Sequence, residues 1–395
     1  MDLIDFPSFT RLARRINSAL EAPKLVILKF PSGEIAEGWE CHLRQALDES
    51  LRIQSNIEEL IEVEIGANDT DVFSKISSAL ECEITNVQEL LEAYDGEPPL
   101  VIKRPNNVEI NNHWQSLLQN IASEFKKADS NRYYRMILLI DFGGNSFKEF
   151  QSTSPVVDTF QLWNPLSWEE LRAYTKQQLT HESNEARRAW MISTYCGASN
   201  FDIGVLEHLI FHQPGSIEQT ISSALEKLPK SIPGAQNQSK RLPTTFGHEW
   251  QPPLNLHERW GNGELIGSQI DRGLIQPWSA VSSDKREDLL HHYIWREQVT
   301  GLFALLIEIG REANDFVFSQ FGSDWIDSSK LAIEPGEILS SFPEYKLGPI
   351  PPTLNKLLKG LRGARNRLAH LCPIEQSDLD SIWDLRLRVL KSNHN

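Results

Sequence analysis

The chain has 395 residues and a formal net charge of −15, with 40% hydrophobic and 24% charged residues. That length suggests two or three domains, and the acidity argues against broad nonspecific nucleic-acid binding. No apolar run reaches bilayer-spanning length. The first residues, MDLIDFPSFTRLARR, put acids before the basic residues and lack an apolar core, so no secretory signal is expected. Cys41, Cys82, Cys196 and Cys372 form no C-x-x-C pair and read as reduced thiols of a cytoplasmic protein without a zinc knuckle.

Residues 1–227 alternate between apolar runs and helical patterns. KLVILKF (24–30) predicts a buried strand, followed by a glycine-containing loop and the helix WECHLRQALDESLRI. IEELIEVEIG ends in a strand-like run, DVFSKISSALECEI has helical spacing, and PPLVIKRP (98–105) is a short strand. HWQSLLQNIASEFKKA is amphipathic at the helical period, and RMILLIDFG (135–143) is the strongest buried strand. VVDTFQLWNPLSWEELRAYTKQQL reads as strand, turn and helix, with Ser167 as N-cap and Glu170 three residues on. ARRAWMISTYCG and IGVLEHLIFH add two helices. Strands alternating with helices predict a largely parallel sheet covered on both faces.

Residues 228–281 hold six of the 21 prolines and read as a linker, although their three tryptophans imply that part of the segment packs on a domain. From Ser282 the chain reads as all helical. One or two long helices span REDLLHHYIWREQVTGLFALLIEIGREANDFVFSQF, a Pro-containing loop covers 333–352, and PTLNKLLKGLRGARNRLAHL is the next helix, closed by Cys372-Pro373. Ser377 is expected to cap the last helix. The three predicted segments are therefore 1–227, 228–281 and 282–395.

Two motifs carry candidate chemistry. After the first strand, Gly33 and Gly38 have the glycine spacing of a phosphate-binding loop, in the right place between strand and helix. Trp39 and Glu40 stand where such a loop needs Lys and Ser or Thr, so no nucleotide cofactor and no nucleotide-binding residue is assigned. MILLIDF ends in Asp141, as a metal-binding Walker B strand does, but Phe142 follows it. With the WNPLSWEEL segment, residues 1–227 resemble an inactivated STAND-type P-loop NTPase domain. The fold implied is a degenerate α/β P-loop-NTPase-like domain that senses or assembles instead of hydrolysing nucleotide.

The second motif is Arg365-Asn366 with His370 five residues beyond the arginine, in GARNRLAH. Leu354, Leu357, Leu358, Leu361, Ala364, Leu368 and Leu371 form an apolar stripe. Arg362, Asn366 and His370, each four apart, form a polar one, so Asn366 can reach His370 across one turn. Arg365 and His370 are about 140° apart on an ideal helix; a loosened last turn or a second copy would bring them together. Residues 354–395 carry eight Lys or Arg against four Asp or Glu, a basic end on an acidic chain. A second Arg-x4-His, Arg286 to His291, lacks the asparagine and reads as surface. His208 and His212 could seat a metal at helical spacing, but a solvated face is the expectation and no metal ligand is assigned.

RNRLAH, followed by proline and another helix, resembles the HEPN superfamily, over roughly residues 282–395. The resemblance implies an all-α HEPN-like bundle that cleaves RNA without metal, usually as a homodimer. His370 would then transfer protons at the ribose 2′-OH or leaving oxygen, Arg365 would stabilise the phosphoryl transition state, and Asn366 would orient imidazole or phosphate. The expected protein is a cytoplasmic endoribonuclease effector of a prokaryotic antiviral or toxin–antitoxin system, with RNA as substrate and further proteins of that system as partners. The alternative is a noncatalytic adaptor in a multi-protein defence complex.

Overall fold

A computed structural model of the chain describes residues 6–20, 24–30, 34–55, 60–64, 72–94, 99–103, 119–124, 135–141, 157–162, 166–231, 266–267, 274–275, 277–322 and 334–391. It divides into two compact units. The first comprises Met1–Glu170 and Pro229–Ser282; the second comprises Leu171–Leu228 and Ser283–Asn395.

The first unit holds a five-stranded parallel sheet. Its strands are β1 (Lys24–Phe30), β2 (Ile61–Glu64), β3 (Leu100–Lys103), β4 (Arg135–Asp141) and β5 (Val157–Gln161), in the order β2-β3-β4-β1-β5. Its helices include α1 (Pro7–Ala19), α2 (Glu34–Ser55), α3 (Val72–Leu80) and α4 (Val87–Ala93). The strand predictions at 24–30, 98–105 and 135–143 are met. So is a helical segment at 119–124 within the amphipathic stretch; the rest of that stretch lies outside the described residues.

From β1 the chain goes to the far edge at β2, and then steps back through β3 and β4 to β5 on the other side of β1. Right-handed crossovers in opposite directions put their connections on opposite faces. Alternation along β1 matches this. Leu25 and Ile27 join Ile76 of α3 and Val87 and Leu90 of α4 in one core. Val26, Leu28 and Phe30 point to the other face, where Arg15 of α1 lies over Phe160, in the strand paired with Leu28. There α2 buries Trp39, His42, Leu43, Ala46, Leu47 and Leu51, a stripe at steps of three and four that packs on α1. The His42 ring stacks on Phe9 and meets Phe6 edge-on.

Lys29 is the exception in β1, a lysine only 2% exposed. Burial lowers its pKa to about 8 because the charged form loses its hydration. Below pH 8 the fold therefore holds a charged ammonium at a cost, and the cost fades as pH rises from about 8 toward the unfolded value of 10.5. Lys29→Met is expected to raise unfolding stability at pH 7 by about 2–3 kcal/mol. Urea denaturation from pH 7 to 10 checks this. Wild-type stability rises across the upper part of that range, and the variant's does not share this contribution.

The second unit is all helical. It contains α5 (Trp168–Gln178, from Leu171), α6 (Glu185–Ser199), α7 (Ile203–His212), α8 (Ile217–Lys227), α9 (Arg286–Phe321), α10 (Pro335–Glu344), α11 (Pro352–Ala369) and α12 (Gln376–Lys391). The breaks at 228/229 and 282/283 lie within one residue of the segment boundaries expected at 227 and 282, but the break at 170/171 was not expected. Residues 171–228 belong with the C-terminal helices, because α6 packs along α9 and also meets α12. Ten residues of α6 are buried, including Trp190 and an unbroken run from Ser193 to Ser199. At Gly197 an added Cβ would lie 2.7 Å from the Tyr293 carbonyl oxygen and 2.8 Å from the Ile294 Cα, so the two backbones nearly touch. A helix buried all round needs partners on every side; α7 and α8, next in the chain, supply some of them, and α9 and α12, far along it, supply the rest.

Residues 229–282 are part of the first unit and not a free linker: Trp278 is fully buried, and the Ser231 hydroxyl donates to the Val281 carbonyl at 2.8 Å. Part of the segment read as loop, 335–344, is helix α10, which starts on Pro335, where the missing N–H costs nothing, and buries Ile338 and Phe342. The last helix begins at Gln376, so Ser377 lies inside its first turn and not at the cap. The cap expected at Ser167 is present: the Ser167 N–H donates to Glu170 at 3.0 Å, and the Glu170 N–H donates back to the Ser167 hydroxyl at 3.2 Å.

Candidate functional site

Of the two glycines with phosphate-loop spacing, only Gly38 falls among the described residues, and it lies in a helix. β1 ends at Phe30 and α2 begins at Glu34, so Gly38 lies in the second turn of a helix. Its N–H is in helical register and not turned toward a ligand. Trp39 is fully buried in the unit's core. Residues 31–33, including Gly33, are outside the described set. Asp141 ends β4 directly opposite Phe30, the last residue of β1. The carboxyl ends of β1 and β4 meet where the strand order reverses direction, and doubly wound sheets form ligand crevices at such points. Phe142 falls outside the described residues.

The stronger site is in the second unit, on α11. Leu354, Leu357, Leu358, Leu361, Ala364 and Leu368 are buried as their spacing predicts. A neighbouring face of the helix lines a groove of about 690 Å³, with Arg362, Arg365, Asn366 and Ala369 on one wall. Phe303 of α9 and the first turn of α10, from Glu334 to Glu337, complete it. Arg365 donates from Nη2 to Glu334 Oε1 at 2.8 Å, and the Glu334 side chain is 65% exposed. An ion pair so open to water holds weakly, at about 0–1 kcal/mol. Arg365 and Asn366 therefore share one groove.

His370 is not among the groove-lining residues. Helix α11 ends at Ala369, and His370 is the C-cap, with an exposed side chain. Its N–H still donates to the Asn366 carbonyl at 3.0 Å, but Leu371 turns left-handed, with φ of +61°. The Cys372 N–H donates to the Arg367 carbonyl at 2.9 Å, and the Leu371 N–H reaches the Leu368 carbonyl at 3.4 Å. This is a Schellman ending, with leucine where glycine is usual. Leu371 is 62% exposed, so the apolar stripe stops at Leu368 and does not include it. A β-carbon in left-handed backbone costs about 1 kcal/mol, and little burial would be lost with the side chain. Leu371→Gly is expected to stabilise the unit by roughly that amount, read from its urea midpoint; a lower midpoint would contradict the assigned strain.

The turn carrying His370 is held from both sides. Trp295 Nε1 donates to the Leu368 carbonyl at 2.6 Å, and Arg367 Nε donates to the Pro373 carbonyl at 2.8 Å. The Ile374 carbonyl accepts from Trp190 Nε1 at 2.7 Å and from Gln298 Nε2 at 3.1 Å. The Ile374 N–H donates to Gln298 Oε1 at 2.6 Å. Gln298 is fully buried and also donates to the Thr194 hydroxyl. The histidine thus stands on a preorganised turn, as a site residue must. Trp190, Trp295 and Gln298 carried no signal as site-supporting residues, because nothing in the spacing of a helix names its hydrogen-bond partner 76 residues away.

Arg286 is buried, not on the surface, whereas His291 is exposed. The His208 and His212 rings lie 4.0 Å apart, and burial together with His212 lowers the His208 pKa. Glu207, next to His208, accepts from the Tyr174 hydroxyl at 2.8 Å. Among the described residues no group of three or more His, Cys, Asp or Glu is placed to hold a metal ion. All four cysteines are free; Cys196 is buried, which pushes its thiol up to about 12, and Cys372 is exposed. No helix among the described residues is long and apolar enough to cross a membrane. No protein-family model and no curated protein matches the chain.

Proposed function

We propose that the second unit is a HEPN-type endoribonuclease that works without metal, and that the first is a degenerate STAND-like domain that regulates or assembles it. What supports the nuclease reading above all is that Arg365 and Asn366 face one groove while His370 stands just past the helix end on a firmly held turn. Arg365 offers a rigid fork of donors to the oxygens of a phosphodiester. Asn366 supplies a neutral donor and acceptor beside it. His370 takes the proton from a ribose 2′-OH or returns one to the leaving oxygen, as a positioned imidazole can do in general acid–base catalysis. Attack of the 2′ oxygen on the adjacent phosphorus breaks the bond to the 5′ oxygen, so the products end in a 2′,3′-cyclic phosphate and a 5′-OH.

Because His370 of one chain does not line that chain's groove, a second copy completes the site, and the active species is a homodimer through this bundle. The support for an inactive NTPase-like first unit is the parallel sheet with its reversal at β1, combined with a helical Gly38 and a buried Trp39 where phosphate would bind. The biological setting that fits is a prokaryotic antiviral or toxin–antitoxin effector acting on cytoplasmic RNA, with partner proteins of that system. One observation favours the adaptor alternative: Arg365 is already paired, to Glu334.

The test is RNA cleavage by the purified full chain, with and without EDTA, with light scattering on the same sample. Cleavage that survives chelation, yields cyclic-phosphate ends and tracks the dimer is the expected result. A strictly monomeric protein that cleaves RNA would contradict the shared site. A chain that cleaves no RNA in any state, with or without the products of neighbouring genes, leaves the adaptor as the better account.

A further inference from the structure

The groove on α11 has more chemistry than the motif requires. Arg362 lies one turn before Arg365–Asn366 on the same wall. Among the described residues it has no ion-pair or hydrogen-bond partner. Its side chain runs past Gly336, whose missing Cβ would sit 3.7 Å from the Arg362 Cδ. Two guanidinium groups therefore reach the groove, and Arg365 alone holds a carboxylate, that of Glu334. Phe303, 38% exposed, forms part of the wall contributed by α9. Glu337 sits beside Glu334 in the first turn of α10, with Oε2 accepting the Glu334 N–H at 3.2 Å.

The Glu334 oxygen on Arg365 Nη2 occupies the place of a phosphate oxygen, because a guanidinium N–H donates to either anion. The space of about 690 Å³ is that of a small-molecule site, large enough for one nucleotide. The aromatic wall suits the π-face of a base, and the two glutamates suit its exocyclic amino groups. They also disfavour an acidic peptide, which would bring further carboxylates against them.

We infer that this groove is a subsite for one nucleotide of single-stranded RNA, next to the phosphate that is cut. Its phosphate is held by Arg362 and Arg365, its base lies against Phe303, and Glu334 is the internal competitor that RNA displaces from Arg365. This inference rests on the nuclease reading for the place of the cut phosphate, but binding itself does not depend on catalysis. It makes Arg362 and Phe303 substrate-binding residues. It also explains why an acidic residue stands on the site's arginine: the free protein keeps Arg365 satisfied by a pair weak enough to exchange for phosphate.

The experiment measures binding of a fluorescein-labelled single-stranded RNA ten-mer to the full chain by anisotropy. His370→Ala is present throughout so that no RNA is consumed. In that background Glu334→Gln is expected to tighten binding about two- to fivefold, the scale of a lost surface ion pair. Arg362→Ala is expected to weaken it about tenfold at low salt and to reduce the salt slope by about 0.7, the value of one phosphate contact on a single strand. Phe303→Leu keeps the bulk but loses the ring and is expected to weaken binding about fivefold or more, while Phe303→Tyr retains it.

Unchanged or weaker binding in Glu334→Gln, together with no effect of Arg362→Ala, would overturn the subsite. So would tight binding of a phosphoserine peptide, with the same variant pattern, in place of RNA. Restoring His370 separates the two claims. RNA bound as expected but never cut sinks the nuclease reading and leaves the subsite. Cleavage that needs His370 but has the same kcat/KM in Arg362→Ala and Glu334→Gln sinks the subsite and leaves the nuclease.

Discussion

His370→Ala is expected to lower RNA cleavage by about 10²–10⁴-fold, the usual loss when one positioned acid–base group is removed, while the second unit stays folded. The side chain is exposed, and it is the backbone of the turn, through Leu368, Pro373 and Ile374, that Trp295, Arg367, Trp190 and Gln298 grip. Nothing in that grip uses the imidazole. Arg365→Ala is expected to cost about 10²–10³-fold by removing charge stabilisation at the phosphoryl oxygens. The loss of its exposed pair with Glu334 changes stability by less than about 1 kcal/mol. His291→Ala is the control, since His291 is also exposed on a helix and has an arginine five residues before it, yet Arg286 is buried. Single-turnover cleavage at matched dimer concentration reads the effect, with circular dichroism for the fold. Full activity in both His370→Ala and Arg365→Ala would end the ribonuclease proposal. Equal loss in His291→Ala would show that the measured activity belongs to another part of the surface or to a contaminant.

Gly197→Ala is expected to be the most damaging single-carbon change in the second unit. The new Cβ would meet backbone atoms, the Tyr293 carbonyl oxygen at 2.7 Å and the Ile294 Cα at 2.8 Å, and neither can rotate away. Helices α6 and α9 would have to separate along their shared length, at a cost of roughly 2–3 kcal/mol for forced overpacking. At Gly301 the nearest atom is the Ser193 hydroxyl, at 2.1 Å from the added carbon, which can swing aside; Gly301→Ala is therefore expected to cost less. Gly363 has nothing within 4 Å of an added Cβ and lies inside α11. Gly363→Ala is expected to stabilise by about 0.5–1 kcal/mol, because alanine loses less backbone entropy in a helix. Urea midpoints of the three variants give the order. A Gly197→Ala protein as stable as wild type would mean that α6 and α9 do not pack this closely.

The parts of this protein that the sequence by itself determines are those where one short window carries the whole physical cause. KLVILKF and RMILLID become adjacent interior strands because each carries an aliphatic run of strand length, the pattern of a parallel sheet. The buried leucines of α11 follow from their spacing alone, and the Ser167–Glu170 cap follows from two residue types three apart. The basic, polar side of α11 was legible in the same way, and so were Arg365 and Asn366 as its candidates.

What only the tertiary structure decided depends on partners distant in the chain. Helix α6 is buried along most of its length, a pattern that says it is central but cannot say that α9 runs along it and that residues 171–228 therefore leave the first unit. Helix α10 was hidden because proline reads as a breaker, although at the first helical position it breaks nothing. A continued helix would have carried Leu371 toward the core; instead the chain turns left-handed there and leaves it in water. That reversal is fixed by a glutamine and two tryptophans from other helices, and His370, just before it, is not among the residues that line the groove of Arg365 and Asn366. The carboxylate on Arg365 comes from a residue 31 positions earlier, across a segment with no periodic signal linking the two. Local periodicity sets which face of a helix is polar; long-range packing sets what that face meets.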